Sequence, residues 1–555
     1  MKEHALKILF IFLLMALTCS FASAEDEIKL EDQIQSLVEP LIKEQRLHAV
    51  SIGIIKDGKK YSFGFGRVYD DKETPDDKTI YEIGSISKVF TATMLARMVV
   101  DGKMNLDDAA KKYLDNAFKM PEYQKTPITL RHLTQHKSGL PRMPNNFQPE
   151  NIDNPYADYD KEKLYEFLNS CKLERKPGES FQYSNLAVGT LGHILELSTQ
   201  KDYQQLLKDI ISEPLKMQDT VVSLNSEKMK RLAEGHNGQD NVYPNWDLNV
   251  LMGAGGIRST VHDMLIFLEA NLNPDETALG KAIKLTQRPP DNTVKNMGLG
   301  WHVKRNQTTF WHNGQTGGYH SFSMFDSKEK IALVILSSTA SNLVDKLGAS
   351  IRHLLEKGEI KHVEFKKPII LKREKLKEYL GTYYMSRDFV LEVTLGKKHL
   401  LVKASGQDAF PVYPSKEDSF FYKIVQAQIS FERKEGKVIG LVLHQNGAHM
   451  KALKDKLPPP PEYQEIELSK EILKNFIGRY QLNASFAITI TVEGSRLLAQ
   501  ATGQKKVPIY PMSENKFFYK IVDAQISFNK NKKGKVTGLI LHQNGMNQPA
   551  TRIDE

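Results

Sequence analysis

The chain has almost no cysteine: two in 555 residues. One of them, Cys19, falls inside an N-terminal leader, which leaves Cys171 without an intramolecular partner and excludes a disulfide framework. Packed cores must hold the fold. No H-E-x-x-H stretch occurs, and His132 and His136, four apart on a possible helix, have no third ligand nearby, so no metal or other cofactor is expected. Nucleic-acid motifs are missing as well. The N-terminal apolar run, Ile8 to Leu17, is too short to cross a bilayer comfortably. Hydrophobic residues at 40% and charged residues at 26% exclude a polytopic membrane, collagenous or largely disordered chain.

The first recognisable feature is an export leader. Lys2 and Lys7 flank a short polar start, Ile8 to Leu17 follows, and Ala22-Ser23-Ala24 offers small residues for cleavage. Residues 1–24 are read as a signal peptide, giving a periplasmic or extracellular mature protein. At about 100–200 residues per domain, the remainder holds several domains. The formal net charge of +9 is unevenly spread: 47 Lys and Arg against 48 Asp and Glu up to residue 370, then 29 against 19. The surplus reads first as a solvated lysine-rich surface, and second as contact with an anionic cell wall or membrane face.

That basic tail is an internal repeat. Phe420 to Phe431 recurs as Phe517 to Phe528 with one change, Gln426 to Asp523. Gly381 pairs with Gly478 and Tyr413-Pro414 with Tyr510-Pro511 at the same offset, and His444-Gln445-Asn446-Gly447 pairs with His542-Gln543-Asn544-Gly545 one residue later. Short Val-, Ile-, Phe- and Tyr-rich runs alternate with turn residues, and Asn-Gly is a tight-hairpin signal. Residues 371–457 and 462–555 are therefore expected to be two small antiparallel β-barrels or sandwiches, with Pro458 to Pro461 as a stiff spacer.

Residues 25–365 mix periods. Asp32 to Leu47 is patterned as an amphipathic helix, Val50 to Phe65 as a strand hairpin, and Lys88 to Val100 as a helix. Strands return at Leu299–Val303, Thr309–Trp311, Ser321–Phe325 and Ile331–Ser337, before a helix over Asn342–Lys357. A sheet made from both ends of the segment, with an all-helical insertion between them, explains the order.

Three short motifs carry chemistry. Ser85 and Lys88 stand three apart at the head of an apolar helix, on one face, where a buried lysine of lowered pKa can deprotonate a serine. Further S-x-x-K matches at Ser198, Ser327, Ser513 and Ser527 lack that setting. Tyr183-Ser184-Asn185 precedes a second apolar helix. His312-Asn313-Gly314 ends one strand and leads through Gly317-Gly318 to the next. Tyr243-Pro244-Asn245 and His236-Asn237-Gly238 mimic the second and third motifs, but read as a loop and a turn.

In this order, S-x-x-K, Y-x-N and H-x-G, the chain resembles the serine β-lactamase and penicillin-binding-protein superfamily, most closely its class C-like serine hydrolases. "ITLRHLTQHKSGLP", "KPGESFQYSN" and "GAGGIRSTVHDM" fit the same signature, over roughly residues 35–355. The resemblance implies an α/β sheet plus a helical region, with the site in the cleft between them. It implies Ser85 as nucleophile, Lys88 and Tyr183 sharing base and proton-shuttle work, and Asn185 orienting the substrate. His312 and Gly314 would complete the third motif, with the N–H groups of Ser85 and Gln315 forming the oxyanion hole.

The family usually carries Lys-Thr-Gly at the third motif. His312 replaces a permanent cation by a group mostly neutral near pH 7, so recognition of a substrate carboxylate should weaken. H-x-G resembles the D-aminopeptidase and esterase branches, and the two barrels after the catalytic segment resemble the D-aminopeptidases. The expected substrates are small peptides or amides containing a D-residue, then esters, then β-lactams or D-alanyl C-terminal peptides, as for a β-lactamase or D-alanyl carboxypeptidase. A non-catalytic sensor or wall-binding protein is the reading from another class. Oligomeric state is not legible.

Overall fold

The computed structural model describes residues 28–553 except 70–72, 115–118, 239–240, 289–296, 387–388, 397–398, 406, 408, 424–426, 446, 456–462, 484–485, 495, 503–505, 521–523, 532–533 and 544–545. The leader, the four prolines, Asn446 and Asn544-Gly545 lie outside the described residues. Two compact units divide the chain, Met1–Glu364 and Phe365–Glu555.

In the first unit a helix over residues 28–43 leads into β1 (Ala49–Lys56) and β2 (Lys59–Gly66). The helix stops short of Leu47, because the chain turns at residues 44–46 and Gln45 adopts a positive φ. The chain later returns as β3 (His302–Val303), β4 (Thr309–Gln315), β5 (His320–Asp326) and β6 (Ile331–Ser337). These form one antiparallel sheet in the order β2-β1-β6-β5-β4-β3, so both ends of the segment do build it. The helix Val261–Leu272 covers one face, with Val261 and Leu265 closing over Gly53. The helix Leu343–Lys357 covers the other, with Gly348 against Phe322. Burial on both sides explains why β6, IALVILS, is apolar throughout rather than alternating.

The insertion is mostly helical, but not wholly. Tyr81–Glu82 pairs with Arg258–Ser259, and Glu122–Tyr123 with Thr126–Pro127. At its centre is the helix Ser87–Val100, with apolar side chains buried on every side. Phe90 stacks on Phe267 at 4.3 Å, Phe267 on Trp301 at 6.5 Å, and Trp301 meets Phe325 edge-on at 5.3 Å. One apolar column thus joins the central helix, the covering helix and the sheet.

The second unit contains two closed antiparallel barrels of eight strands each, from Gly381–Tyr384 to Ala448–Lys454 and from Gly478–Asn483 to Met546–Ile553. Closure removes free strand edges. Equivalent tyrosines pin both barrels: Tyr383 Oη donates to the Tyr379 carbonyl at 2.7 Å, and Tyr480 Oη to the Phe476 carbonyl at 2.8 Å. Equivalent aromatic clusters, Tyr379-Phe420-Phe431 and Phe476-Phe517-Phe528, fill the barrels. The strands Lys437–Gln445 and Ala448–Lys454 form the hairpin expected around the first His-Gln-Asn-Gly.

Candidate active site

Ser85 lies in a single 3-10 turn, Gly84–Ile86, that runs straight into the central helix. Two glycines make the turn possible. Gly84 has φ +50°, and a Cβ there would lie 2.7 Å from the Gln315 nitrogen. Gly314 brings β4 against the turn so closely that a Cβ would meet the Ile83 carbonyl oxygen at 2.0 Å and the Ser85 nitrogen at 2.8 Å. These contacts place the amides of Ser85 and Gln315 side by side. Upstream, Glu82 anchors the turn. It accepts from Arg258 Nη2 at 3.0 Å, the Trp246 N–H at 3.0 Å and Asn245 Nδ2 at 3.1 Å. Asn245 of the imitation motif is thus a loop residue that holds Glu82.

Lys88 Nζ lies 2.9 Å from Ser85 Oγ and donates to the Ala254 carbonyl at 2.5 Å. It is fully buried, and burial, reinforced by the Arg142 charge, drives its pKa well below the usual lysine value. Burial pushes the Tyr183 phenol up to about 12, against the opposing pull of the neighbouring Ser85 side chain and of Arg142. Lys88 Nζ and the Arg142 guanidinium lie 5.0 and 5.1 Å from the Tyr183 ring centre.

The helix Asn185–Thr199 begins at Asn185, because the Ser184 side chain caps it by accepting from the Ala187 N–H at 2.9 Å. Asn185 Nδ2 donates to Tyr156 Oη at 3.2 Å, while its Oδ1 is buried with no partner among the described residues. His312 is fully buried on β4. Its Nδ1 lies 2.6 Å from the Asn313 carbonyl, which can only accept, so the neutral ring leaves Nε2 as an unpartnered acceptor. Burial, then His302 and Lys88, hold its pKa well below the usual histidine value.

All seven residues picked from the sequence therefore converge on one locality, and the other S-x-x-K matches do not. Ser198 bonds its own helix, Lys330 the Leu272 carbonyl, Ser513 Asn515, and Ser527 His542. Other neighbours were given no role at the site by the sequence reading. His136, buried, stacks on Tyr183 at 4.4 Å and accepts from the Ser184 N–H at 3.1 Å. His132, its supposed companion, instead caps its own helix through the Thr129 N–H. His302 lies 5.0 Å from His312, and burial with the Lys88 charge lowers its pKa to about 4. Asp345 accepts from Asn313 Nδ2 through both oxygens, at 3.1 and 3.0 Å. It also lies 3.1 Å from His320 Nε2, off the line of an aligned hydrogen bond, and His320 Nδ1 is 3.0 Å from Gln315 Oε1. Only the "RHLTQH" spacing drew attention to any of these groups.

A serine in contact with a buried lysine of lowered pKa, with Tyr183 and the Gln315 amide nearby, is the arrangement of a lysine-assisted serine hydrolase. The chain belongs to the Beta-lactamase family, whose model matches residues 34–356, more than half of its length. A second model, a domain of unknown function (DUF3471), matches residues 462–553, the second barrel. Protein flp of Staphylococcus aureus (strain MW2) is 28% identical over 334 residues, which is 57% of this chain and 65% of that protein, just under two thirds of its length. A Beta-lactamase of Pseudomonas fluorescens is 29% identical over 275 residues, 49% of this chain and 73% of that one. Among solved structures, a class C beta lactamase superposes with TM-score 0.51 at 21% identity, covering 60% of this chain and 99% of that one, a likeness of fold.

Proposed function

We propose that the protein is an exported hydrolase that forms an acyl-enzyme on Ser85 from small peptides or amides containing a D-residue. The observation that carries the reading is the 2.9 Å Lys88–Ser85 contact, made by a lysine whose pKa burial has lowered. Neutral Lys88 takes the Ser85 proton as Oγ attacks the substrate carbonyl. Tyr183, held as a phenol, passes a proton to the leaving amine. The Ser85 and Gln315 amides face the developing oxyanion, and Asn185 Oδ1 accepts from a substrate N–H. Water then hydrolyses the ester and restores Ser85. His312 favours this substrate class over β-lactams and C-terminal carboxylates, since it presents an acceptor where a cation would be needed.

An esterase is the second reading, favoured by the same lack of a carboxylate anchor at His312. The basic second unit is proposed to touch an anionic cell wall. A panel of D-alanine p-nitroanilide, p-nitrophenyl butyrate and nitrocefin, run on wild type and Ser85→Ala, tests the reaction. Ser85-dependent turnover of the anilide above the other two supports the first reading. A butyrate preference supports the esterase, and nitrocefin turnover near that of dedicated enzymes overturns the role given to His312.

A further inference from the structure

A cavity of about 600 Å³ opens beside the catalytic residues, between Phe181 and the β3–β4 hairpin. Phe181, two residues before Tyr183, is 45% exposed and meets the His136 ring at 5.7 Å. His302, stacked on Trp311 at 4.6 Å and 5.0 Å from His312, forms the wall shared with the catalytic site. Farther out the lining turns cationic, with half-buried Lys304 and exposed Arg305 next to Asn306. No acidic residue is among the described lining residues, and neither cation has a carboxylate partner among the described residues. Burial and the Arg352 charge lower the Lys304 pKa, and Glu356 and Asp326 act in the opposite direction. Lys304 and Arg305, neither in an ion pair among the described residues, place positive charge at the far end of an aromatic cleft.

From these observations we infer that the cavity is a substrate subsite for the carboxylate-bearing end of an extended peptide whose reacting carbonyl sits at Ser85. The hairpin sets the length. The Lys304 N–H donates to the Thr309 carbonyl, so Lys304 is level with the start of β4, while Gly314 abuts Ser85. Five residues of strand at about 3.4 Å each separate the two points by roughly 17 Å. A peptide of about four to five extended residues spans that distance, with Phe181 and Trp311 against its middle. The carboxylate that His312 cannot anchor next to the scissile bond is recognised several residues farther along.

This assignment rests on the proposed reaction for its orientation, and its test does not require turnover. Isothermal titration of full-length Ser85→Ala with penta-D-alanine, its C-terminal amide and di-D-alanine separates charge from length. The free-acid pentamer is expected to bind about tenfold tighter than its amide, and tighter than the dimer. Lys304→Ala/Arg305→Ala should erase the acid-over-amide preference, and Lys304→Glu/Arg305→Glu should reverse it, while fluorophosphonate labelling of Ser85 in an otherwise wild-type background stays unchanged. Equal binding of acid and amide, or a preference that survives the double alanine variant, overturns the assignment. Failure of wild-type protein to label at Ser85 refutes the reaction instead, and leaves the titration to decide the subsite.

Discussion

Replacing Gly314 by alanine tests whether the third motif positions the nucleophile. The added Cβ would lie 2.0 Å from the Ile83 carbonyl oxygen, 2.6 Å from Ser321 Oγ and 2.8 Å from the Ser85 nitrogen. An unstrained C···O contact is about 3.3 Å or more, so β4 and the Gly84–Ile86 turn must separate by about 1 Å. Ser321 cannot yield freely, because its Oγ donates to the same Ile83 carbonyl at 2.8 Å. Overpacking of this kind costs about 1–3 kcal/mol of stability, and a 1 Å displacement at a reacting centre about 10²-fold in rate. Gly314→Ala is therefore expected to fold, to melt a few degrees lower by calorimetry, and to lose about 10² in the rate of Ser85 acylation by a fluorophosphonate, with little change in its concentration dependence. A variant that acylates at the wild-type rate would refute the reasoning, since it would mean that β4 does not hold the turn.

The remaining expectations concern protonation and the barrels. Lys88→Met should lower hydrolysis by about 10²–10⁴-fold. It should also raise stability at pH 7, because a folded-state pKa below the unfolded one makes the unfolded chain bind more protons; the gain should shrink as pH rises towards 10.5, and denaturant titrations at several pH values check it. The pH–rate profile should rise through the depressed pKa of Lys88, and should not fall below pH 10 through Tyr183, whose phenol is held near 12. Tyr383→Phe and Tyr480→Phe should each cost about 0.5–1.5 kcal/mol, equally within error, since each removes the same buried bond to the carbonyl four residues before it. Unequal losses by calorimetry would show that the two barrels are not energetically equivalent.

Strand positions were legible where burial imposed a continuous apolar run, as in Ile331–Ser337, and the barrels were legible because the sequence repeats. The fourth sheet strand was expected to end at Trp311, since Asn and Gly are poor strand formers. It continues to Gln315 because Asn313 and Gly314 pair with Phe322 and Ser321, a tertiary effect that no local pattern encodes. The candidate catalytic residues were picked out through short fixed spacings. His302, Arg142 and Asp345 were missed, and His136 was weighed only as a metal ligand, because their relation to the site exists only after the sheet and helices assemble. His136 reaches Tyr183 across 47 positions of chain, and Asp345 reaches Asn313 from the last helix of the first unit. Position in sequence revealed the second unit's positive charge, but not the Lys304–Arg305 pair, whose local surplus vanishes in the near-neutral balance of the first 370 residues.

The central claim is that Ser85 is a nucleophile activated by Lys88. Intact-mass spectrometry with peptide mapping after brief exposure to a fluorophosphonate tests it directly. One adduct per chain is expected, on the peptide carrying Ser85, formed at least 10²-fold more slowly in Lys88→Met and absent in Ser85→Ala. An adduct on any other residue, or labelling of Ser85 at an unchanged rate without Lys88, would contradict it.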